Sequence, residues 1–108
     1  VLEKYRQAPF RAPMIVILVS SIKEHPKVPA LEQMFSTAAA GQNILLALNA
    51  LGFGGIWRTG KFALNKEIGS FLKLADNQEV LGYLYIGTPT GDNKKIPQLD
   101  PKDFVRKL

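Results

Sequence analysis

A chain of 108 residues with 46% hydrophobic and 21% charged side chains has the profile of one globular domain, residues 1–108, long enough to bury a real core. It has no cysteine, which excludes a disulfide scaffold, thiolate-held zinc or iron–sulfur and a thiol nucleophile, and its one histidine, His25, argues against a protein-only transition-metal site. The formal charge of +5 invites nucleic acid, but the only dense basic group, Lys94 to Lys107, is interleaved with Asp100 and Asp103 and reads as solvated surface, so no nucleic-acid partner is expected.

The chain opens at Val1 within what reads as a helix, residues 1–8, stopped by Pro9. No basic segment followed by an apolar one precedes it, so no signal peptide is read, a cytoplasmic location is expected, and the sequence looks like the later part of a longer protein. Pro9 and Pro13 bracket a stiff approach to Met14–Ile22, a β-branched apolar run of strand length that predicts a fully buried strand. Residues 23–29, KEHPKVP, form a proline-punctuated loop.

Ala30 to Leu51 predicts a long helix, apolar nearly all round, which places it at the centre of the molecule or in a subunit interface. Ala38 to Gly41 make a small-residue patch at its middle, suited to another helix or subunit or, more plainly, to a sheet. Gly52 supplies the left-handed stop. No charge occurs between Gln33 and Trp57, yet Gln42, Asn43, Asn49 and the glycines that follow argue against a membrane span.

Gly55 to Thr59 predicts a short strand or extended loop, Leu64 to Leu74 a short helix with Leu64, Ile68, Phe71 and Leu72 on one side, and Val80 to Ile86 a second buried strand closed by Gly87-Thr88-Pro89. Thr90 to Leu108 reads as an extended arm lying on another surface, with Phe104 and Val105 as its anchors.

The chemistry concentrates in residues 52–61, GFGGIWRTGK. Gly55, Gly60 and Lys61 fit the glycine-lysine spacing of a phosphate loop, but Phe62 stands where Ser or Thr must hold magnesium, and a helix precedes where a strand is needed. The dinucleotide fingerprint fails at Trp57. Two readings remain. Gly54 and Gly55 leave the backbone bare for a flat heterocycle, with Trp57 offering a ring, Arg58 an anion partner and Thr59 a hydroxyl. Alternatively the segment is a tight helix-to-strand turn with Trp57 in the core.

In its order of blocks, PFRAPMIVILV, a small-residue helix, GFGGIWRTG and VLGYLYIGTP, the chain resembles the second half of the FMN-dependent nitroreductase family, in its branch of short NAD(P)H nitroreductases. The resemblance runs over residues 5–90, and loosely through the tail. It implies an α+β fold, a mainly antiparallel sheet flanked by helices, and an intertwined homodimer with FMN at the subunit interface. It implies a two-stage reaction in which NAD(P)H reduces the flavin and a nitroaromatic or quinone is then reduced in its place.

By position it implies FMN contacts at Trp57, Arg58 and Thr59, and a nicotinamide-nucleotide stretch at Ala47, Leu48, Asn49, Ala50, Leu51 and Gly52. The family's Arg-Arg-Ser grip on the flavin phosphate would lie before Val1. No catalytic side chain is named, because hydride transfer belongs to the flavin and the protein supplies orientation and charge. The alternative to an enzyme is a non-catalytic dimerisation or flavin-binding module.

Overall fold

The computed structural model describes residues 2–63 and 65–108. The order is α1 (Leu2–Gln7), a 3-10 turn (Ala8–Arg11), β1 (Met14–Ser21), α2 (Ala30–Ala50), β2 (Gly54–Arg58), α3 (Gly60–Ala63), α4 (Lys66–Phe71), β3 (Gln78–Gly87) and a 3-10 turn at Pro101–Asp103. Helices and one antiparallel sheet make this an α+β fold.

Pro9 does not end the first helical segment. It sits inside the 3-10 turn, where a missing N–H costs no helix bond, and Ala12 before Pro13 then swings to φ −143°, ψ 153° to launch β1. The sheet order is β1-β3-β2, with both outer strands antiparallel to β3. Beyond Ser21 the pairing continues as Ile22 N–H donates to the Asn77 carbonyl at 2.8 Å and Asn77 Nδ2 donates to the Ile22 carbonyl at 2.7 Å. Pairing starts earlier on β3 than the apolar run suggested, because Gln78 and Glu79 stand opposite Ser21 and Ser20. The register shifts between Leu18 and Val19, opposite Gly82 and Val80, so Leu81 is the extra residue.

Antiparallel partners point to one face, so register divides the sheet. Val16, Leu18, Trp57, Leu84 and Ile86 face α2, where Leu18, Leu84 and Ile86 form the buried core and Ile44, Leu45 and Leu48 cover it. Ile15, Ile17, Ile56, Arg58, Tyr83 and Tyr85 form the other face. Hence β1 is half-buried rather than fully buried as its composition suggested: only Leu18 and Ser20 are fully buried, and Met14 is exposed. Thr37 in α2 donates to Ser20 Oγ at 3.3 Å, giving the buried hydroxyl a partner.

Helix α2 starts after Pro29 and ends in a left-handed residue as expected. Gly52 has φ +83°, Phe53 N–H donates to the Leu48 carbonyl at 2.9 Å and Gly52 N–H to the Asn49 carbonyl at 3.1 Å, a Schellman closure. Gln33 secures the preceding loop, bonding both Lys23 N–H and the Lys23 carbonyl at 2.9 Å and the Val28 carbonyl at 3.0 Å.

Burial all round the helix is not found in this chain. Gly41 is its one buried residue among those described, while Leu31, Phe35, Leu46 and Leu51 lie exposed, Phe35 at 60%. The small patch meets the chain's own sheet through Gly41, where an added Cβ would stand 2.6 Å from both Leu18 Cδ1 and Trp57 Cζ3.

The predicted helix 64–74 is one short helix, α4 at Lys66–Phe71, and the separate turn of helix α3 precedes it. Asn65 caps α4, its side chain accepting from Glu67 N–H at 2.9 Å. Leu64 lies outside the described residues, and Phe71 is exposed rather than packed with Ile68 and Leu72. Residues 90–108 hold no strand and only the 3-10 turn at Pro101–Asp103, and Phe104 and Val105, expected as anchors, are exposed.

Candidate functional site

Strand β2 carries the residues singled out from the sequence, and its alternation sends them to opposite sides of the sheet. Trp57 points toward α2. Its indole lies against Gly82 of β3, where an added Cβ would overlap Nε1 and stand 2.9 Å from Cδ1, and its far edge reaches Gly41 of α2. The ring is therefore clasped between two glycines, one on the sheet and one on the helix.

Gly55 lies on the same side, and the space its Cβ would fill is taken by Leu45 Cδ2 at 2.7 Å and Leu48 Cδ1 at 3.1 Å. At Gly54 the corresponding space is taken by Pro89 Cγ at 3.2 Å. Both glycines thus have an internal reason, the close approach of α2 and of the Gly87-Thr88-Pro89 turn, and the faces read as bare for a ligand are filled by the chain itself. What β2 still offers is backbone: it pairs on one side only in the described sheet, so the N–H and C=O of every second residue point outward at its edge, and never those of adjacent Gly54 and Gly55 together.

A stability measurement checks the internal role of Gly55. Gly55→Val is expected to destabilise the ligand-free protein by about 1–3 kcal/mol through overpacking against Leu45 and Leu48. Urea unfolding followed by circular dichroism reads this directly. An unchanged midpoint would return the glycine to a ligand-admitting role.

Arg58 and Thr59 lie on the other side. There the open face of the sheet, the α1 end of the chain and α3–α4 enclose a cavity of about 750 Å³, inside the roughly 300–1,000 Å³ range of small-molecule sites. Its floor is Ile15, Ile17, Tyr83 and Tyr85, and its side wall includes Phe62 with Tyr5 edge-on to it, ring centroids 5.4 Å apart. Four cations, Lys4, Arg11, Arg58 and Lys61, line it, and no carboxylate does among the described residues. The Arg58 guanidinium carbon lies 6.0 Å from the Tyr85 ring centroid, at the outer limit of a cation–π contact. Tyr83 donates its hydroxyl to the Phe62 carbonyl at 3.2 Å. Burial, and secondarily the neighbouring Tyr85 phenol, push the Tyr83 hydroxyl above its ordinary range, so it stays protonated and donating at neutral pH.

The structure therefore brings Arg58 and Thr59 together with Tyr83, Tyr85, Phe62 and Lys61, which sequence reasoning missed. The missing signal was the alternation in Leu81-Gly82-Tyr83-Leu84-Tyr85-Ile86, which puts two phenols on one face of an apparently uniform apolar run. Ala47–Gly52 lie elsewhere, at the α2 end behind the sheet, and the carbonyls of Ala47, Leu48 and Asn49 are engaged in closing the helix. Among the described residues, no three His, Asp or Glu side chains gather as metal ligands, and no helix is long and apolar enough to cross a membrane.

Fold and site together define an α+β protein with an aromatic, cation-lined pocket at the end of an edge strand, and known proteins share the fold. The Nitroreductase-like family protein from Bacillus cereus superposes with a TM-score of 0.75 at 17% identity, covering 99% of this chain and 60% of that one. The NADPH:FMN oxidoreductase of Vibrio harveyi, solved as a complex with NAD+, superposes with a TM-score of 0.61 at 26% identity over 71% of this chain and 34% of that one. In sequence, the Escherichia coli (strain K12) protein named "Putative NAD(P)H nitroreductase YdjA" is 36% identical over 107 residues, 96% of this chain and 57% of that protein. The model of the Nitroreductase family matches residues 2–88. The chain belongs to the nitroreductase family. It spans a little over half the length of the curated relatives it matches.

Proposed function

We propose that this chain is the C-terminal part of an FMN-dependent oxidoreductase that uses NAD(P)H to reduce nitroaromatics or quinones, acting as a homodimer in the cytoplasm. The observation that carries the reading is the pocket at Arg58 and Thr59, whose residues fit a planar ring bearing an anionic tail. Tyr83, Tyr85, Ile15 and Ile17 supply an apolar and aromatic floor, and Arg58 and Lys61 supply positive charge without a competing carboxylate. Bound FMN would supply the redox chemistry, accepting hydride from the nicotinamide and passing electrons on to the acceptor.

The chain's own part is orientation and charge. Arg58 would stabilise negative charge on the ring system, the Thr59 hydroxyl would bond its polar edge, and the outward-facing backbone groups of alternate residues along Gly54–Trp57 would serve as further donors and acceptors. The apolar floor would exclude water, which strengthens each of these contacts. Ala47–Gly52 keep their assignment to the nicotinamide nucleotide on the resemblance alone.

Arg58→Ala is expected to weaken flavin binding about tenfold or more, the worth of a charge-assisted hydrogen bond, while stability changes by less than about 0.5 kcal/mol because the side chain is exposed. Flavin titration of the full-length protein, beside thermal unfolding, measures both, and unchanged affinity with unchanged reduction kinetics would remove Arg58 from the site. The exposed apolar face of α2 favours the second reading, a non-catalytic dimerisation module. Visible absorbance separates the two, since a flavoprotein as purified is yellow and is bleached by NAD(P)H.

A further inference from the structure

Between Arg58 and Phe62 the chain reverses through Thr59 and Gly60. Gly60 is left-handed at φ +67°, and an added Cβ there would meet nothing within 4 Å, so the turn has no packing of its own at that point. Both ends of the turn nevertheless meet one residue. Tyr83 stands opposite Arg58 in the β2–β3 register, so the two side chains share the cavity face, and the Tyr83 hydroxyl reaches the Phe62 carbonyl at 3.2 Å. That carbonyl's other donor is Asn65 N–H at 3.4 Å, the longer of the two bonds. The bond is solvent-exposed, and the hydroxyl makes it to the backbone of the turn rather than to a side chain.

We propose that Tyr83 is a positioning residue, whose hydroxyl bond to the Phe62 carbonyl holds the Thr59–Gly60 turn and so keeps Arg58 and Thr59 directed at the cavity. The inference rests on the flavin reading of that cavity. The ring of Tyr83 belongs to the floor, but the hydroxyl is what ties α3 to the sheet, and the two contributions separate on removal of one oxygen.

Tyr83→Phe is the test. In the ligand-free protein, hydrogen exchange at the Asn65 amide, which bonds the same Phe62 carbonyl, should accelerate about fivefold, the equivalent of one lost hydrogen bond, while the amides of β3 stay as protected as before. In the full-length protein, flavin affinity should fall about fivefold as well, and the absorbance band of the bound flavin should shift as its surroundings loosen. In an Arg58→Ala background the Tyr83→Phe change should have a smaller effect on affinity, because the part that acts through Arg58 is gone and only the Thr59 part remains.

Unchanged exchange at the Asn65 amide overturns the tether whether or not flavin binds. Faster exchange with unaltered affinity and spectrum overturns the positioning role, and so does an affinity loss that adds in full to that of Arg58→Ala. A wild-type protein that takes up no flavin overturns both the functional reading and the positioning role, while the exchange rates still decide the tether.

Discussion

Gly82→Ala is expected to destabilise the protein by about 3 kcal/mol, the upper end of the usual cost of overpacking. The added methyl group would fall on the indole of Trp57, overlapping Nε1 and crowding Cδ1 and Cε2. The ring cannot retreat, because its far edge already meets Gly41 of α2, which leaves no slack in the layer between helix and sheet. Removing the indole is as damaging for the opposite reason. Trp57→Ala should cost about 3–5 kcal/mol through lost burial and the cavity left behind.

Gly41→Leu should cost about 1–3 kcal/mol by pressing on the same ring and on Leu18. The changes are coupled. Trp57→Phe in the Gly82→Ala background should recover part of the loss, since a smaller ring clears the new methyl. Urea unfolding followed by circular dichroism gives all four values. A loss below about 0.5 kcal/mol for Gly82→Ala, within the range of an ordinary surface change, would show that the indole does not rest on β3.

Residues 1–108 alone are expected to bind FMN at least about 100-fold more weakly than the full-length protein, since charge-assisted bonds to a phosphate are worth roughly 1.5–3 kcal/mol each. The chain contributes Arg58, Thr59 and one wall of the proposed site, and about 43% of the length of YdjA falls outside the match. Little NAD(P)H-dependent reduction should be seen with the fragment. Self-association is expected all the same, because Leu31, Phe35 and Leu46 expose an apolar stripe along α2. A flavin titration of the two proteins side by side, with light scattering for mass, measures each quantity. Stoichiometric tight binding by a monomeric fragment would mean the phosphate is held by residues within this chain.

Local chemistry made several elements legible. Gly52 announced the end of α2 and takes the left-handed conformation expected of it, and the β-branched run at Met14 began a strand where it was read. The misreadings come from information that lies across the sheet. Trp57 could be assigned to the core or to a ligand only once its register partner Leu84 was known, because partner residues share a face. The same register turned Tyr83 and Tyr85 toward the cavity and Leu84 and Ile86 toward α2, within a run that composition alone made uniformly buried. Asn65 was read through as a helix residue, although a short polar side chain before Lys66 and Glu67 competes for the backbone and starts a new helix instead. The outer face of α2 was expected to be covered, and nothing in its apolar composition says whether the cover belongs to this chain.

The central position of β3 orders events in time. β1 and β2 pair with β3 and not with each other, and β3 is the last strand of the sheet to leave the ribosome. At translation speeds of about 5–20 residues per second, Met14–Ser21 therefore waits roughly 3–13 s for its partner in the described sheet. Helix α2, which needs only local bonds, forms within microseconds of its synthesis and can shelter Val16 and Leu18 during that wait. A ribosome stalled before Gln78 would hold an apolar strand with unpaired edges, so nascent chains arrested at that point should be the ones that recruit chaperones and aggregate when released.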